Sequence, residues 1–212
     1  MVQLFIAGGI RLTGEVSTET SAMFLQTFAL GAVVPLLGLI IGTGVIGPEI
    51  DDGSILYLLG KPIRRPVIAV TKFVVGAGCV ALFGALPAVI SGFILTGPAD
   101  DLPLAFGVAT LAAGAAYVAL FLMLAVITRQ AAVIGLLYAL VWETLIAGLI
   151  PGAQRLSVRQ WALALADRLT PEISVVATVG LTVAVLALAG VTVLATAYAG
   201  LRLRSLALAG DE

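Results

Sequence analysis

The chain has 212 residues, of which 61% are apolar and 11% are charged, and its formal net charge is −1. Soluble domains carry about one-quarter charged residues, so this composition, with a mean hydropathy of +1.17, predicts an integral membrane protein. The basic residues are scattered and form no stripe that would indicate nucleic-acid binding. With no histidine and one cysteine, the chain offers no disulfide or thiolate zinc site, and we interpret Cys79 as a small buried side chain.

The first residues of the chain form a short apolar run that lacks the basic flank and the length of a signal peptide. Glu15, Thr18, Glu19 and Thr20 follow this run. We therefore interpret residues 1–20 as a polar surface segment that leads into the membrane.

Long apolar segments dominate the rest of the sequence. A helix needs about 20 predominantly apolar residues to cross the hydrocarbon core of a bilayer. The predicted fold is therefore an all-α polytopic membrane bundle, a single transmembrane domain over residues 1–212. Five segments have the required length, at about 22–46, 67–96, 104–128, 130–150 and 173–200.

Two prolines and two glycines lie inside these predicted spans. Pro35 and Pro87 each remove one backbone hydrogen bond, so both predict a kink. Gly38 and Gly42 form a GxxxG pair, which suits a close approach of two helices. We do not favour a dimer interface at this pair, because such pairs arise often by chance in a chain rich in Gly and Ala.

The distribution of basic residues predicts the orientation of the chain in the membrane. Seven of them lie on one face of the five-span arrangement: Lys61, Arg64, Arg65, Lys72, Arg129, Arg202 and Arg204. The opposite face holds only Arg11 and three arginines of a longer loop. We expect the carboxyl terminus and residues 47–66 to be cytoplasmic and the amino terminus to lie outside.

Residues 47–66 form a charged segment between two long apolar ones. Pro48 suits a first helical position and Gly60 suits a left-handed helix end. The first turn is crowded with side chains that the helix dipole favours, namely Glu49, Asp51 and Asp52. These signals predict a helix over about 48–60. Its middle is apolar nearly all round, so lipid headgroups or a partner protein must cover Ile55, Leu56, Tyr57, Leu58 and Leu59.

Two other interpretations of this segment fail on its residues. Gly60 and Lys61 are not part of a phosphate-binding loop, because Ile55 stands where the first glycine is needed and Pro62 replaces the Ser or Thr. Any ATP chemistry therefore belongs to another polypeptide. The acidic residues are interpreted as a solvated helix start rather than a metal site, because the chain has no histidine and a basic cluster follows them.

The loop over 151–172 contains a second predicted helix. Ser157 and Gln160 make an S-x-x-Q capping box. Apolar residues follow at helical spacing, namely Val158, Trp161, Leu165 and Leu169. The pattern predicts a short amphipathic helix on or dipping into the outer interface of the membrane, with Trp161 as an interfacial anchor.

Glu143 is the one carboxylate within a predicted span. A buried acid in a membrane costs roughly 2.5–3.5 kcal/mol on insertion scales, so it usually faces a cavity or a partner. One interpretation is a residue of the translocation path or of a gate. The other is a structural tie to Arg155 or Arg159 in the adjoining loop. We favour the tie because Glu143 lies about two helical turns from Pro151.

Residues 44–76 resemble the signature region of the ABC type-2 transporter permeases, the membrane subunits of ATP-driven exporters. The matching positions are Glu49, Asp52, Gly53, Ser54, Tyr57, Leu58, Leu59, Pro62, Arg65, Lys72 and Phe73. A second similarity covers residues 137–143, 151–152 and 156–159. These residues resemble the penultimate span and outer loop of bacterial two-gene members.

The resemblance implies that the helix over 48–60 is a coupling helix that docks on a separate ABC ATPase subunit. Its partner contacts would be Glu49, Asp52, Gly53, Ile55, Leu56, Tyr57, Leu58, Leu59, Pro62 and Arg65. The chain would be a transport subunit rather than an enzyme, with no cofactor of its own, because the ATPase binds ATP and Mg. It would be a multi-pass protein of a bacterial cell membrane, in contact with lipid and paired with a second permease in a homodimer or heterodimer.

Family members usually have six spans with both ends cytoplasmic, so we expect this five-span chain to lack the first span. Two other functions compatible with the sequence are an ion-coupled secondary transporter and a non-transporting membrane scaffold. The composition of the purified complex separates these alternatives, because only the ABC permease requires an ATPase subunit.

Overall fold

The computed structural model describes the chain in six stretches and one isolated residue. The structure in these residues is helical and loop, with no strand assigned. The described residues are 2–12, 14, 17–52, 65–97, 101–150, 152–170 and 177–208.

We number the principal helices of the described residues α1 to α7 in chain order. They are α1 (Val2–Leu12), α2 (Thr18–Ile50), α3 (Pro66–Thr96), α4 (Leu102–Ile127), α5 (Ala131–Ile146), α6 (Val158–Leu169) and α7 (Leu181–Leu208). Three short elements extend this set: a final helical turn of α2 at Gly47–Asp51, a continuation of α5 at Ala147–Leu149, and a 3₁₀ turn at Ala153–Leu156.

Four of these helices are long and apolar enough to cross a membrane: α2, α3, α4 and Leu181–Leu203 of α7. The prediction of an all-α polytopic membrane bundle is confirmed. The fourth predicted span, 130–150, corresponds to α5, which is apolar but shorter than the other four. The last predicted span begins later than expected, at Leu181 rather than near residue 173.

Three stretches of these helices are π-helical: Leu25–Val33 in α2, Ala81–Ala85 in α3 and Tyr138–Ile146 in α5. The first two end two residues before Pro35 and Pro87, respectively. Proline lacks an N–H and its ring crowds the preceding turn, and a widened π turn is one way for a membrane helix to satisfy the freed carbonyls. The third stretch contains no proline.

Helix α4 forms the centre of the bundle. Its large side chains Phe106, Tyr117 and Phe121 are fully buried, and it packs against the second half of α2 and against α3, α6 and α7. A second apolar cluster, which includes Ile46, Leu122 and Leu203, lies where α2, α4 and α7 end. The amphipathic α6 packs at the opposite end of the bundle.

Gly38 and Gly42 bring α2 against α4 within the chain. A Cβ atom on Gly38 would lie 2.5 Å from Tyr117 Cβ, and one on Gly42 would lie 2.8 Å from Phe121 Cβ. Real Cβ atoms do not approach one another so closely. The GxxxG pair therefore serves an intramolecular contact.

The prediction that residues 1–20 form a polar surface segment is wrong for residues 2–12. These residues form α1, which packs against the second half of α3 and buries Gln3 and Ala7. Phe5 and Leu12 point away from the bundle and are exposed. The apolar residues of this run are too few for a span but enough for one packed face of a short helix.

Candidate functional site

The structure describes only the start of the predicted coupling helix. Glu49 lies in the helical turn Gly47–Asp51, and Asp52 ends that turn and is exposed. Arg65 begins the helix that continues into α3. The other predicted contact residues lie outside the described residues: Gly53, Ile55, Leu56, Tyr57, Leu58, Leu59 and Pro62.

An ion pair connects this turn to α3. The Lys72 ammonium donates a hydrogen bond to Glu49 Oε1, and both side chains are partly exposed. Ile46, one residue before the turn, is fully buried in the second apolar cluster, and Ile50 packs against that cluster. Partly exposed ion pairs contribute little to stability, about 0–1 kcal/mol. We infer that burial of Ile46 fixes the base of the turn and that the ion pair orients it.

A cavity of about 240 Å³ lies beside the same turn. Its walls come from the end of α2, the end of α4 and the start of α5. The polar groups among its lining residues are Thr43, Thr128 and Arg129. The turn at Gly47–Asp51 thus packs against the second apolar cluster on one side and borders this cavity on the other.

Glu143 lies at the other end of the bundle and is 3% exposed. It accepts hydrogen bonds from three donors: the Tyr138 hydroxyl at 3.2 Å and the Val158 backbone N–H at 3.0 Å, both on Oε1, and the Ser157 hydroxyl at 2.5 Å on Oε2. The sequence favours a tie to Arg155 or Arg159. The structure instead connects Glu143 to the adjoining loop directly through Ser157 and Val158.

These bonds place the Glu143 carboxylate at the amino-terminal end of α6. Ser157 is the N-cap of α6, and its hydroxyl accepts a hydrogen bond from the Gln160 backbone N–H at 3.3 Å. A carboxylate is favoured at this end because the helix dipole and the free N–H groups attract negative charge. The burial cost of the Glu143 charge is thus offset by three donors and by a helix end.

The predicted capping box of α6 forms only in part. Ser157 caps the helix as expected, but the Gln160 side chain does not complete the reciprocal bond. Its Oε1 accepts a hydrogen bond from the Thr178 hydroxyl at 3.2 Å, and the Ser157 N–H donates to the Gln154 carbonyl at 3.1 Å. The Glu143 carboxylate lies at the first turn of α6, where it accepts hydrogen bonds from the Ser157 hydroxyl and the Val158 N–H.

Arg159 provides a second contact between α6 and the bundle. It lies against the π-helical stretch of α2, where a Cβ atom on Gly31 would lie 3.3 Å from Arg159 Cζ. Burial lowers the pKa of the Arg159 guanidinium from its ordinary value, while the nearby Tyr117 and Glu143 act in the opposite direction. Arginine remains charged in proteins, so a partly buried cation lies within electrostatic range of the Glu143 carboxylate.

Helix α6 is more deeply buried than its sequence indicated. Trp161 is 7% exposed and Leu163 is fully buried, and the helix packs against α4, α7 and the π stretch of α2. The Trp161 indole N–H donates to the Arg155 carbonyl at 2.8 Å. The prediction of Trp161 as an interfacial anchor is therefore wrong. Its polar atom is satisfied by the preceding 3₁₀ turn rather than by the membrane interface.

The sequence did not indicate several of the residues that surround the Glu143 carboxylate and the Arg159 guanidinium. Tyr138 and Glu143 are five positions apart, a spacing that an α-helical pattern does not bring together but a π-helical stretch does, as the bond from the Thr144 hydroxyl to the Ala139 carbonyl at 3.3 Å also illustrates. Gly31 has no side chain, so no sequence pattern marks it as a contact of Arg159. Its role appears only when α6 is packed in place.

This fold, a helical bundle with four helices long and apolar enough to cross a membrane among the described residues, defines a polytopic membrane protein. A family model described as "ABC-2 family transporter protein" matches residues 15–176, more than half of the chain. The chain therefore belongs to the ABC-2 family, whose members are the transmembrane permease subunits of ABC transporters and pair with an ABC ATPase subunit. A search of curated proteins finds no match.

Proposed function

We propose that this permease couples ATP hydrolysis in a separate ATPase subunit to the export of a substrate across a bacterial cell membrane. The observation that carries the proposal is the family match, together with the charged turn that continues into the predicted coupling helix over 48–60. The ATPase would bind ATP and Mg, and two permease chains would form the translocation path.

The geometry of the Glu49 end supports this assignment. The turn at Gly47–Asp51 lies at the end of α2, a helix that packs along α4, and Lys72 connects the same turn to α3. A displacement of the turn by a docked ATPase would therefore reach two spans at once. The neighbouring cavity of about 240 Å³ gives the turn space for such a displacement.

Docking can be tested with the double variant Leu58→Asp and Leu59→Asp. An apolar groove on the ATPase would not accept two carboxylates, because desolvating an unpaired charge is costly. We expect the tagged permease to reach the membrane but to lose the co-purifying ATPase. The matched control is Ala153→Asp with Leu156→Asp, which adds the same charge in the 3₁₀ turn at the other end, where Leu156 is exposed.

Two outcomes would count against the proposal. Normal recovery of the ATPase with the Leu58→Asp, Leu59→Asp variant would reject docking through this segment. Substrate transport that depends on an ion gradient and needs no ATPase would favour a secondary transporter, which is the main alternative.

A further inference from the structure

We propose that α6 is held in the bundle by a two-point latch, in which Glu143 holds its first turn and Arg159 anchors it to the π stretch of α2 over Gly31. In this proposal the latch keeps the end of the bundle next to α6 closed. It opens when the two π-helical stretches change their register. The latch is formed by residues of this chain alone and does not need the partner ATPase.

The first point of the latch is the bonded carboxylate. Glu143 is part of the π stretch Tyr138–Ile146 and receives hydrogen bonds from Ser157 and Val158, which are 14 and 15 residues away along the chain. Both bonds are buried. Charge-assisted hydrogen bonds in a buried site are stronger than neutral ones, so α6 cannot leave its position without breaking them or moving Glu143.

The second point of the latch is steric and electrostatic. The guanidinium of Arg159 fits over Gly31 because no side chain stands there, at 3.3 Å from the position of a Cβ atom. Among the described residues, Arg159 Nε is buried and has no hydrogen-bond partner. The arginine is therefore held by shape and by the negative charge of Glu143 rather than by direct bonds of that atom.

At each point of the latch, one of the two contacting residues belongs to a π-helical stretch. Gly31 lies in Leu25–Val33 and Glu143 lies in Tyr138–Ile146. A π turn uses i→i+5 bonds, and short π stretches within α-helices are frequently found at functional sites. Tightening such a stretch to α-helix removes one residue from the turn and rotates the adjoining part of the helix by about 100°. That rotation would withdraw Glu143 from Ser157 and Gly31 from Arg159.

The burial pattern of α6 makes the opening measurable. Ala162 lies on the buried side of α6 and is fully buried, and Ala199 is fully buried in α7, in the second apolar cluster. A thiol at position 162 becomes reactive only if α6 leaves its place. A thiol at position 199 becomes reactive only if the bundle itself loosens.

The test uses the full chain in membrane vesicles of both orientations, in a Cys79→Ala background, with Ala162→Cys or Ala199→Cys as the labelling site. The probe is a membrane-impermeant maleimide. We expect Glu143→Leu to raise the labelling rate at position 162 at least about tenfold, as loss of a hydrogen bond to a charged group predicts. Glu143→Gln should raise it by less than about threefold, because Gln still accepts one of the bonds. Labelling at position 199 should not change.

The second point is tested by a double-variant cycle. Gly31→Val should raise labelling at position 162, because the added side chain displaces the Arg159 guanidinium. In an Arg159→Ala background the same change should have little further effect, since the displaced group is absent. Additive effects would reject the Gly31–Arg159 contact as a latch point.

Two results at positions 162 and 199 would overturn the latch. Equal increases at positions 162 and 199 in Glu143→Leu would overturn the latch, because they would show general loosening of the bundle. An unchanged rate at position 162 would overturn it as well. Neither result would bear on ATPase docking, which depends on the other end of the molecule.

Discussion

Two glutamates at opposite ends of the bundle are bound in contrasting ways. Glu143 is 3% exposed and is satisfied by a tyrosine, a serine and a helix amino terminus. Glu49 is partly exposed and pairs with Lys72 beside a cavity. A buried carboxylate needs all its partners, because each lost bond exposes a desolvation cost. Water reaches part of the Glu49–Lys72 contact, and ion pairs of this kind contribute little to stability.

This contrast leads to different expectations for the two ends. At the Glu143 end a buried carboxylate is bonded to the first turn of α6, whereas at the Glu49 end a partly exposed ion pair lies next to a cavity. We expect substitutions at the first end to act on stability and on closure of the bundle. Substitutions at the second end should act mainly on the partner.

The largest expected effect is all-or-none and tests which end faces the cytoplasm. In a Cys79→Ala background, a thiol introduced by Asp100→Cys should be modified by an impermeant reagent in intact cells. One introduced by Glu212→Cys should not. The expectation rests on the asymmetry of basic residues.

The reagent should reach both thiols once the cells are permeabilised, which controls for reactivity. The reverse labelling pattern would place the Glu49 turn outside the cell. Docking of an ATPase at that turn would then be impossible, and the proposed function would fail with it.

The next effect in size concerns the packed end. Glu143→Leu leaves the Ser157 hydroxyl and the Val158 N–H buried without an acceptor, so we expect it to lower the free energy of unfolding in detergent micelles by about 3 kcal/mol. Glu143→Gln retains an acceptor and should cost about 1 kcal/mol. In the complete transporter, the Gln variant should keep most of the transport activity and the Leu variant should not.

Equal and near-complete loss of transport in both variants, at matched amounts in the membrane, would contradict this structural role. It would indicate instead that the charge of Glu143 is needed in translocation, because Gln cannot ionise. An Ala112→Ser control, in a partly buried position on α4, should leave both measurements nearly unchanged.

The sequence predicted the helices better than their local geometry. Apolar length located α2, α3 and α4 within a few residues, because a membrane span is fixed by the thickness of the bilayer. Pro35 and Pro87 predicted irregular helices, and the irregularity takes the form of π turns just before each of them. The third π stretch, around Glu143, has no such marker in the sequence.

Of the polar residues around α6, the sequence singled out Glu143 but not its hydrogen-bond partners. A carboxylate in an apolar segment stands out, so Glu143 was identified, and its loop was correctly expected to be involved. The particular partners depend on how α6 packs across α4 and α2, and that packing is set by contacts distant in sequence. Trp161 was misplaced for the same reason, since an amphipathic pattern does not tell whether lipid or protein covers the apolar face.

The smallest expected effect would sharpen the contrast between the two ends directly. A double-variant cycle of Glu49→Gln and Lys72→Met should give a coupling energy of no more than about 1 kcal/mol, as for other partly exposed ion pairs. It should shrink further in high salt, because screening weakens pairs that water can reach. The measurement is the free energy of unfolding in detergent micelles. Arg129→Met, which removes a nearby exposed cation, serves as the control.

The matched cycle at the other end pairs Glu143→Leu with Ser157→Ala, because Leu removes the acceptor of the Ser157 hydroxyl. We expect its coupling energy to be larger and insensitive to salt, because the bond is buried and its partner is neutral. If the Glu49–Lys72 coupling proved to be the larger of the two, the Glu49 turn would be a fixed part of the bundle. It would then be a poor candidate for the element that moves with the ATPase, and the assignment of packed and movable ends would have to be exchanged.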